Sequence, residues 1–349
     1  MVSGTRRRRS SRNLGSSVEI RNRTPLPAAL NIVLDKRAAE QLVLCVKGTW
    51  TISKSGRLTL AEEPKEILAA DECVGEPGLS SVRYEADMGP MKLTTDCALV
   101  GSAIAPKRGT KEMEIAFTIA GLKQRAQVTG ERRLAGGMLG AWIPSAPEAF
   151  ERVPLQWEYA VGGTDHSPED PLKHSMDERN PLGRGFRTKN TKLEKGASLL
   201  PQMLTPGKAN DPVGFGFTGG HWIHRRKYAG TYDKAWQEER CPLLPLDFDE
   251  RFHNSAAPGL VAPKYLRGGE RVEVLGCTAS GKLAFALPTV SLRAEAAIGG
   301  PLEPMKMVLN TVTVDTDAMK LFLTWRGAVH IHKRLPRLEF VTLDAEGLA

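Results

Sequence analysis

Long apolar runs and export signals are both missing from this sequence of 349 residues. No apolar stretch approaches the roughly 18 residues of a membrane-spanning helix. The basic run at residues 6–9 is followed by Ser-Ser-Arg-Asn-Leu-Gly-Ser-Ser, which lacks the apolar centre of a signal peptide. The five cysteines are scattered, odd in number and never at zinc-ligand spacing. We therefore expect a cytoplasmic protein with reduced thiols and no membrane insertion.

Motifs of catalysis and of cofactor binding are also absent. The sequence has no Gly-x-Ser-x-Gly motif, no phosphate-binding loop ending in Gly-Lys-Ser/Thr, and no cysteine in a local signature near a histidine. The net charge of +8 is moderate, and beyond residues 6–9 basic and acidic residues alternate. This pattern does not predict a nucleic-acid surface. We expect no enzyme activity, no cofactor, no bound metal and no nucleic-acid partner.

Glycine and proline, in contrast, are abundant. The 34 glycines and 23 prolines make up about 16% of the chain, above the roughly 12% of average proteins. This composition favours turns and short strands over long helices. One short helix is predicted at residues 232–240, with Asp233 as its cap. Predicted strands are 41–52, resuming at Leu58 after a Ser55-Gly56 turn, 97–104, 111–120, 124–129, 271–275, 283–287, 308–314 and 321–325.

These patterns divide the chain into four parts. Residues 1–25 predict a disordered basic tail whose role the sequence leaves open, and 26–135 an N-terminal β domain. Residues 136–258 predict an irregular central region, rich in glycine, proline and aromatic residues, packed on the sheets. Residues 259–349 predict a C-terminal β segment that completes the fold. We expect a mainly β protein with sandwich- or barrel-like sheets and few short helices.

A metal-dependent hydrolase or toxin is the rival hypothesis. His221 and His224 lie three residues apart, and His253 is a third imidazole nearby in the sequence. Asp247 and Asp249 could add oxygen ligands or act as a carboxylate pair. The alternative is that these carboxylates cap turns or pair with arginines, because they alternate with apolar residues in Leu-Asp-Phe-Asp.

The order of short motifs along the chain resembles the domain of unknown function 2169 family, which occurs beside genes for type VI secretion. The resemblance extends over roughly residues 26–330. The matching motifs include Val46-Lys-Gly-Thr-Trp50, Ser80-Ser-Val-Arg-Tyr-Glu-Ala-Asp87, Gly101-Ser-Ala-Ile-Ala-Pro106, Val128-Thr-Gly-Glu-Arg132, Gly162-Gly-Thr-Asp165, Asn180-Pro-Leu-Gly-Arg-Gly-Phe186, Ala229-Gly-Thr-Tyr-Asp233, Pro242-Leu-Leu-Pro-Leu-Asp-Phe-Asp249, Leu266-Arg-Gly-Gly-Glu270 and Thr324-Trp-Arg326.

This resemblance implies a non-enzymatic adaptor or chaperone. Such a protein binds and stabilises an effector toxin and helps to load it on the spike formed by VgrG and PAAR proteins. Aromatic and arginine side chains are common at the centres of protein interfaces. We therefore predict a partner-binding surface, with the alternative that these aromatics are buried anchors of irregular loops. The predicted residues are Trp222, Arg225, Tyr228, Tyr232, Trp236 and Phe248.

Overall fold

The computed structural model describes residues 18–136, 142–188, 191 and 198–348. Strands dominate this part of the chain, which confirms the expectation of a mainly β protein. The first ten strands are β1 (Glu19–Asn22), β2 (Ala28–Leu34), β3 (Glu40–Ile52), β4 (Leu58–Leu60), β5 (Glu72–Cys73), β6 (Val82–Tyr84), β7 (Asp96–Val100), β8 (Ser102–Ile104), β9 (Glu112–Ile119) and β10 (Leu122–Thr129).

The strands in the described part of the central region are short, with two or three residues each. Up to Leu204 these are β11 (Leu134–Gly136), β12 (Trp142–Pro144), β13 (Arg152–Pro154), β14 (Val161–Gly162), β15 (Thr164–Asp165), β16 (Ser175–Met176), β17 (Arg184–Gly185) and β18 (Met203–Leu204). The α-helices found in the described residues are α1 (Ile223–Arg226) and α2 (Lys234–Glu239). Neither is long or apolar enough to cross a membrane.

Long strands return towards the C terminus. They are β19 (Arg271–Leu275), β20 (Lys282–Ala286), β21 (Ser291–Ile298), β22 (Leu302–Met305), β23 (Val308–Asp315), β24 (Lys320–His330) and β25 (Leu338–Glu346). Short 3₁₀ helices complete the described structure at Trp157–Tyr159, Pro171–Lys173, Glu250–His253 and Leu335–Arg337.

The long strands β3 and β24 form the centre of a six-stranded sheet, called the central sheet. Its order is β2-β3-β24-β23-β7, and β4 also pairs with β3. Both central strands are buried at most positions, which agrees with their content of apolar and β-branched residues. The predicted hairpin is confirmed. Gly56 lies in its turn with a φ of 86°, a conformation that favours glycine.

Two further sheets share one hydrophobic core with the central sheet. The five-stranded sheet has the order β18-β10-β9-β19-β20, and the four-stranded sheet the order β1-β25-β21-β22. Leu44 of the central sheet, Phe117 of the five-stranded sheet and Val341 of the four-stranded sheet are all buried in this core. The C-terminal strands complete sheets begun earlier in the chain, since β19 pairs with β9, β24 with β3 and β23 with β7.

The two faces of the central sheet differ in chemistry. Leu44 and Leu323 lie on the face that joins the hydrophobic core. The opposite face, called the polar face, carries a row of four cross-strand neighbours, one from each of four adjacent strands. These are Lys47, Thr324, Thr311 and Asp96. The segment of residues 62–95, which connects β4 to β7, hydrogen-bonds to this face.

The predicted helix is confirmed as α2. The Asp233 side chain accepts a hydrogen bond of 2.8 Å from the Trp236 backbone N–H, which satisfies one of the free donors at the helix start. The helix ends at Glu239, before Pro242, as the sequence indicates.

The N-terminal tail and several strands differ from the sequence expectation, and these strands include β2, β21, β22 and β25. Residues 1–17 of the predicted tail lie outside the described residues. Glu19–Asn22 form β1, which pairs in parallel with β25, so the predicted tail extends too far. Strands β21 and β25 are not among the predicted strands. The sequence of β21 favours a helix because it contains four alanine and glutamate residues, but pairing with a strand on each side outweighs that preference.

Candidate functional site

A buried ion cluster joins segment 62–95 to the polar face of the central sheet. The Lys92 Nζ atom lies 2.6 Å from Asp96 Oδ2, also pairs with Glu85, and donates to Thr311 Oγ1 at 3.0 Å. Ser255 donates its hydroxyl to Glu85 and its backbone N–H to Asp96 at 2.7 Å. Lys92, Asp96 and Ser255 are buried. Because an unpaired buried charge is costly, the ammonium and its two carboxylates stabilise the fold only together.

A second buried ion pair lies further along the same row of the sheet. The Lys47 Nζ atom is 2.6 Å from Asp87 Oδ2, and Thr324 donates its hydroxyl to Asp87 Oδ1 at 2.9 Å. The charges on segment 62–95 therefore complement those on the sheet: Asp87 faces Lys47, and Lys92 faces Asp96. A shifted docking of the segment would place like charges together, so this pattern specifies a single register.

Arg326 of β24 holds the same segment through backbone carbonyl groups. Its three guanidinium nitrogens donate to the carbonyl oxygens of Asp87 at 2.9 Å, Pro90 at 2.7 Å and Ala86 at 3.1 Å. A small cavity of about 140 Å³ lies beside these groups. Side chains that line it include Glu85, Lys92, Phe217, Arg225, His253 and Ser255.

Two titratable groups at this cavity have pKa values below their ordinary ranges. Burial alone would raise the pKa of Glu85, but Lys92 and Arg326 outweigh it and hold this pKa at about 2. Burial, assisted by Arg225, lowers the pKa of His253 to about 4. The Ser255 hydroxyl donates to the ionised Glu85 carboxylate. A serine nucleophile requires a base with a pKa matched to its task, and Glu85 is too weak a base for that.

The six residues predicted to contact a partner lie at different depths. Trp222 and Phe248 are buried, and the Trp222 ring packs edge-on against Trp157 with centroids 5.0 Å apart. The partly buried Arg225 donates to the Phe252 carbonyl oxygen at 2.9 Å. In this structure these three residues hold loops in place, as the alternative interpretation states. Their contact with a partner stays a prediction.

The other three predicted residues lie nearer the surface. Tyr232 is 52% exposed, and its ring centroid is 4.7 Å from that of Trp236. Trp236 is half-buried and donates its indole N–H to the Leu243 carbonyl oxygen at 2.8 Å. The Tyr228 ring lies under the Arg251 guanidinium, 4.4 Å from its centroid. The indole of Trp236 is thus anchored by a hydrogen bond, and the Tyr232 ring packs against it at the surface.

Leu246 adds an exposed apolar side chain to the same surface, although it is not in the predicted set. It is 72% exposed, and the neighbouring Asp247 accepts hydrogen bonds from the Thr231 N–H at 3.0 Å and from its hydroxyl at 2.7 Å. These bonds tie the loop to the start of α2. The sequence signal for this surface is Pro-Leu-Leu-Pro-Leu at residues 242–246, which places three leucines in a proline-containing loop. We call Tyr232, Trp236 and Leu246 the aromatic patch.

The carboxylates of the metal-site hypothesis serve local structure. Hydrogen bonds from Thr231 lower the pKa of Asp247. Asp249 accepts from the Arg251 guanidinium at 3.0 Å and caps a 3₁₀ helix, and these bonds hold its pKa at about 2. Turn capping and arginine pairing are the alternative roles that the sequence suggests for these two residues.

The histidines of that hypothesis do not gather with the carboxylates into a ligand set. Burial lowers the pKa of His221 and of His224. His253 lies 3.1 Å from Glu250 through Nε2. In the part of the chain that the structure describes, no group of three or more histidine, cysteine, aspartate or glutamate side chains is placed to hold a metal ion.

Two of the glycine-rich motifs meet at a tight turn. Strand β14 pairs in parallel with β17, which places Gly162 opposite Gly185. The fully buried Asn180 donates its side-chain amide to the carbonyl oxygens of Trp157 at 3.0 Å and Val161 at 2.8 Å. A Cβ atom at Gly162 would collide with Asn180. These motifs therefore build the fold of the central region.

The motifs and their order agree with a comparison against known families. Residues 37–326 match the family described as "Uncharacterized protein conserved in bacteria (DUF2169)". The chain belongs to this family. The matched range spans the ion cluster and the aromatic patch. Neither a curated protein nor a solved structure matches the chain.

Proposed function

We propose that this protein is a non-enzymatic adaptor of a type VI secretion system. It binds and stabilises an effector toxin in the cytoplasm of the producing cell and helps to seat the toxin on the spike of VgrG and PAAR proteins. The proposal starts from membership of the family and from the implied role of proteins with these motifs. The feature of the structure that supports it is the aromatic patch.

The aromatic patch has the properties of a protein interface. Tyr232 is 52% exposed and Leu246 is 72% exposed, so both present large side chains to the solvent. The capping of α2 by Asp233, the indole bond of Trp236 and the bonds of Asp247 fix the surrounding backbone. A partner that binds there meets an already ordered backbone, so little backbone conformational entropy opposes binding. Tyrosine and tryptophan are also frequent energetic centres of interfaces.

The rival hypothesis, a metal-dependent hydrolase or toxin, makes a different prediction for the purified protein. It requires a metal bound at a fixed ratio by Asp247, Asp249 and nearby histidines, or toxicity when the chain is produced alone. Elemental analysis of the purified protein tests the first requirement directly. A metal held at one equivalent through gel filtration would favour the rival over the adaptor.

Replacement of the patch residues tests the adaptor function. We would produce the chain together with each protein encoded beside it and identify a toxin that is soluble only in its presence. The double variant Tyr232→Ala/Leu246→Ala should bind the toxin at least about tenfold more weakly. This change corresponds to a loss of about 1.4 kcal/mol of binding free energy. Its melting temperature should match that of the wild type because both side chains are exposed.

Leu172→Ala provides the matched control, since Leu172 is 94% exposed at a different site. This variant should retain as much toxin as the wild type. Equal retention by the patch variant and the control would contradict the placement of the interface. If no neighbouring protein is retained by the wild type, the adaptor function itself fails.

A further inference from the structure

Strand β2 forms an open edge of the central sheet. It pairs with β3 alone among the described strands. The opposite edge of this sheet is covered, because the β7 backbone donates to the carbonyl oxygens of Leu260 at 2.9 Å and Phe215 at 2.8 Å. Folded proteins usually cover or blunt sheet edges, since an open edge is a template for pairing with another chain.

Two backbone hydrogen bonds show which groups of β2 face outwards. Lys47 N donates to Pro27 O at 3.0 Å, and Asp35 N donates to Ala39 O at 3.1 Å, one at each end of the pairing with β3. Bonded positions alternate along an antiparallel strand, so the odd-numbered residues of β2 bond to β3. The even-numbered residues direct their N–H and C=O groups away from the sheet. They are Ala28, Leu30, Ile32 and Leu34.

In the described structure the outward backbone groups are almost entirely unused. The Ile32 N–H is bonded by the side chain of its neighbour Asn31 at 2.9 Å. The described residues provide no partner for the outward N–H groups of Leu30 and Leu34 or for the carbonyl groups between them. These groups are spaced to match the backbone of one more antiparallel or parallel strand.

The side chains of β2 lack the features that normally prevent such pairing. Its sequence, Ala-Ala-Leu-Asn-Ile-Val-Leu, contains no charge and no proline, whereas edge strands are commonly protected by lysine, proline or a bulge. Ile32 is 42% exposed and Leu34 is 51% exposed. A charged side chain placed opposite this strand would gain no partner, so the edge selects an uncharged, apolar segment.

We propose that β2 binds an extended, uncharged apolar segment of the effector by strand addition. The inference rests on the proposed adaptor function and names the second surface that it uses. The new strand would continue the central sheet through backbone hydrogen bonds, and apolar side chains of the effector would cover Ile32 and Leu34.

The position of β2 favours the effector over a second copy of this chain. The hairpin that follows β2 is tied to the loop of the aromatic patch: Lys36 donates to the Phe248 carbonyl oxygen at 3.0 Å, and Arg240 donates to the Lys36 carbonyl oxygen. The two surfaces are therefore close together, and an effector held at the patch would meet β2 at high local concentration.

Self-pairing of β2 would also cover too little area. A strand of seven residues is about 24 Å long, and neighbouring strands are about 4.8 Å apart. Stable interfaces bury roughly 1,200–2,000 Å² in total and involve about 20–30 residues on each side, far more than one such strand provides. Strand addition through β2 thus needs a partner that is also bound elsewhere on the chain.

Lysines placed on the edge test the proposal in the full-length complex. The probe is the toxin that is retained in the test of the adaptor function. Ile32→Lys/Leu34→Lys should weaken its binding at least about tenfold, because two charges would face an apolar strand. The control is Leu302→Lys, at a leucine 47% exposed on β22, the edge of the four-stranded sheet. It should bind as the wild type does.

Hydrogen exchange provides a readout that does not depend on substitutions. The amides of Leu30 and Leu34 should exchange rapidly in the free protein and at least about tenfold more slowly in the complex. The amides of Asn31 and Val33 should be protected in both states because they bond to β3.

The outcomes separate this inference from the adaptor function. If the toxin binds the edge variant as tightly as the wild type, and the Leu30 and Leu34 amides keep exchanging rapidly, strand addition is refuted and the adaptor function stands. A wild-type dimer that the lysine variant converts to monomer would show that a second copy occupies the edge, which also refutes the proposal. Absence of any retained toxin would refute both.

Discussion

The Nζ atom of Lys92 lies 2.6 Å from the Oδ2 atom of Asp96, in the interior of the protein. Lys92 belongs to segment 62–95, and Asp96 opens strand β7 of the central sheet. Asp96 also accepts hydrogen bonds from Asn254 at 2.9 Å and from Ser255 at 2.7 Å. One aspartate thus connects the sheet, the segment that covers its polar face, and the end of the central region. The cluster determines how three parts of the chain dock on one another.

Removal of the Lys92 charge should destabilise the protein strongly. Lys92→Met leaves the carboxylates of Glu85 and Asp96 close together without their shared cation, and we expect the free energy of unfolding to fall by about 3–5 kcal/mol. Urea denaturation followed by tryptophan fluorescence measures this change. The control is Lys234→Met, which removes an exposed lysine 3.6 Å from Glu238 and should cost less than about 1 kcal/mol. Similar losses in both variants would contradict a stabilising role of the cluster.

His253 should make stability depend on pH between about 6.5 and 4. Burial lowers the pKa of this imidazole to about 4 in the folded protein, so the unfolded chain binds its proton first as the pH falls. The associated stability is complete above about pH 6.5 and decreases as the pH approaches 4. Denaturation at pH 7, 5.5 and 4.5 measures the slope. His253→Gln should flatten it, and an unchanged slope would contradict the assignment.

Gly56 should be required for the contact between the β3–β4 hairpin and β20. An added Cβ at this position would collide with the carbonyl oxygen of Ala284, in addition to the strain of its φ of 86°. Gly78 has a similar φ of 80° with no atom near an added Cβ. Gly78→Ala should therefore cost only about 1 kcal/mol, and Gly56→Ala clearly more. Equal losses of free energy of unfolding would show that the collision is relieved at no cost.

Asn180 should tolerate no negative charge. Its amide donates to two backbone carbonyl oxygens inside the central region. Asn180→Asp replaces that donor by a carboxylate that faces the same oxygens, and we expect a loss of about 3 kcal/mol or more. Thermal unfolding should show a lower midpoint than that of Gln127→Glu, which changes an exposed amide on β10. Matching midpoints would contradict the role of Asn180 in joining the two glycine-rich motifs.

The regular parts of the fold are largely predictable from the sequence. Strand β19 has the predicted bounds, and the bounds of β3, β9, β20 and β23 each differ from the prediction by no more than one residue. These strands combine β-branched residues with clear turns, so local signals and tertiary pairing agree. Strand β21 is different, because its alanine-rich sequence becomes a strand only through pairing with β22 and β25.

The candidate sites are less predictable, for physical reasons. Trp222 and Tyr232 have similar local sequence signals, yet one is buried and the other exposed, because exposure depends on which distant loop packs above each ring. The ion cluster is invisible in the sequence, since Glu85, Lys92, Asp96 and Ser255 become neighbours only after the central sheet has formed. Sequence analysis alone places charged residues at those positions on the surface, because the long-range packing that buries them is not visible in the sequence.

The pairing of β3 with β24 has a consequence for synthesis on the ribosome. Thr51 pairs with Lys320 and Gln41 with His330, so the centre of the sheet cannot close until translation has passed His330. Until then β3 remains a long apolar strand without its neighbour, and such nascent chains fold slowly and are prone to aggregation. A chain with this order of pairing should therefore need protection from aggregation during its own synthesis.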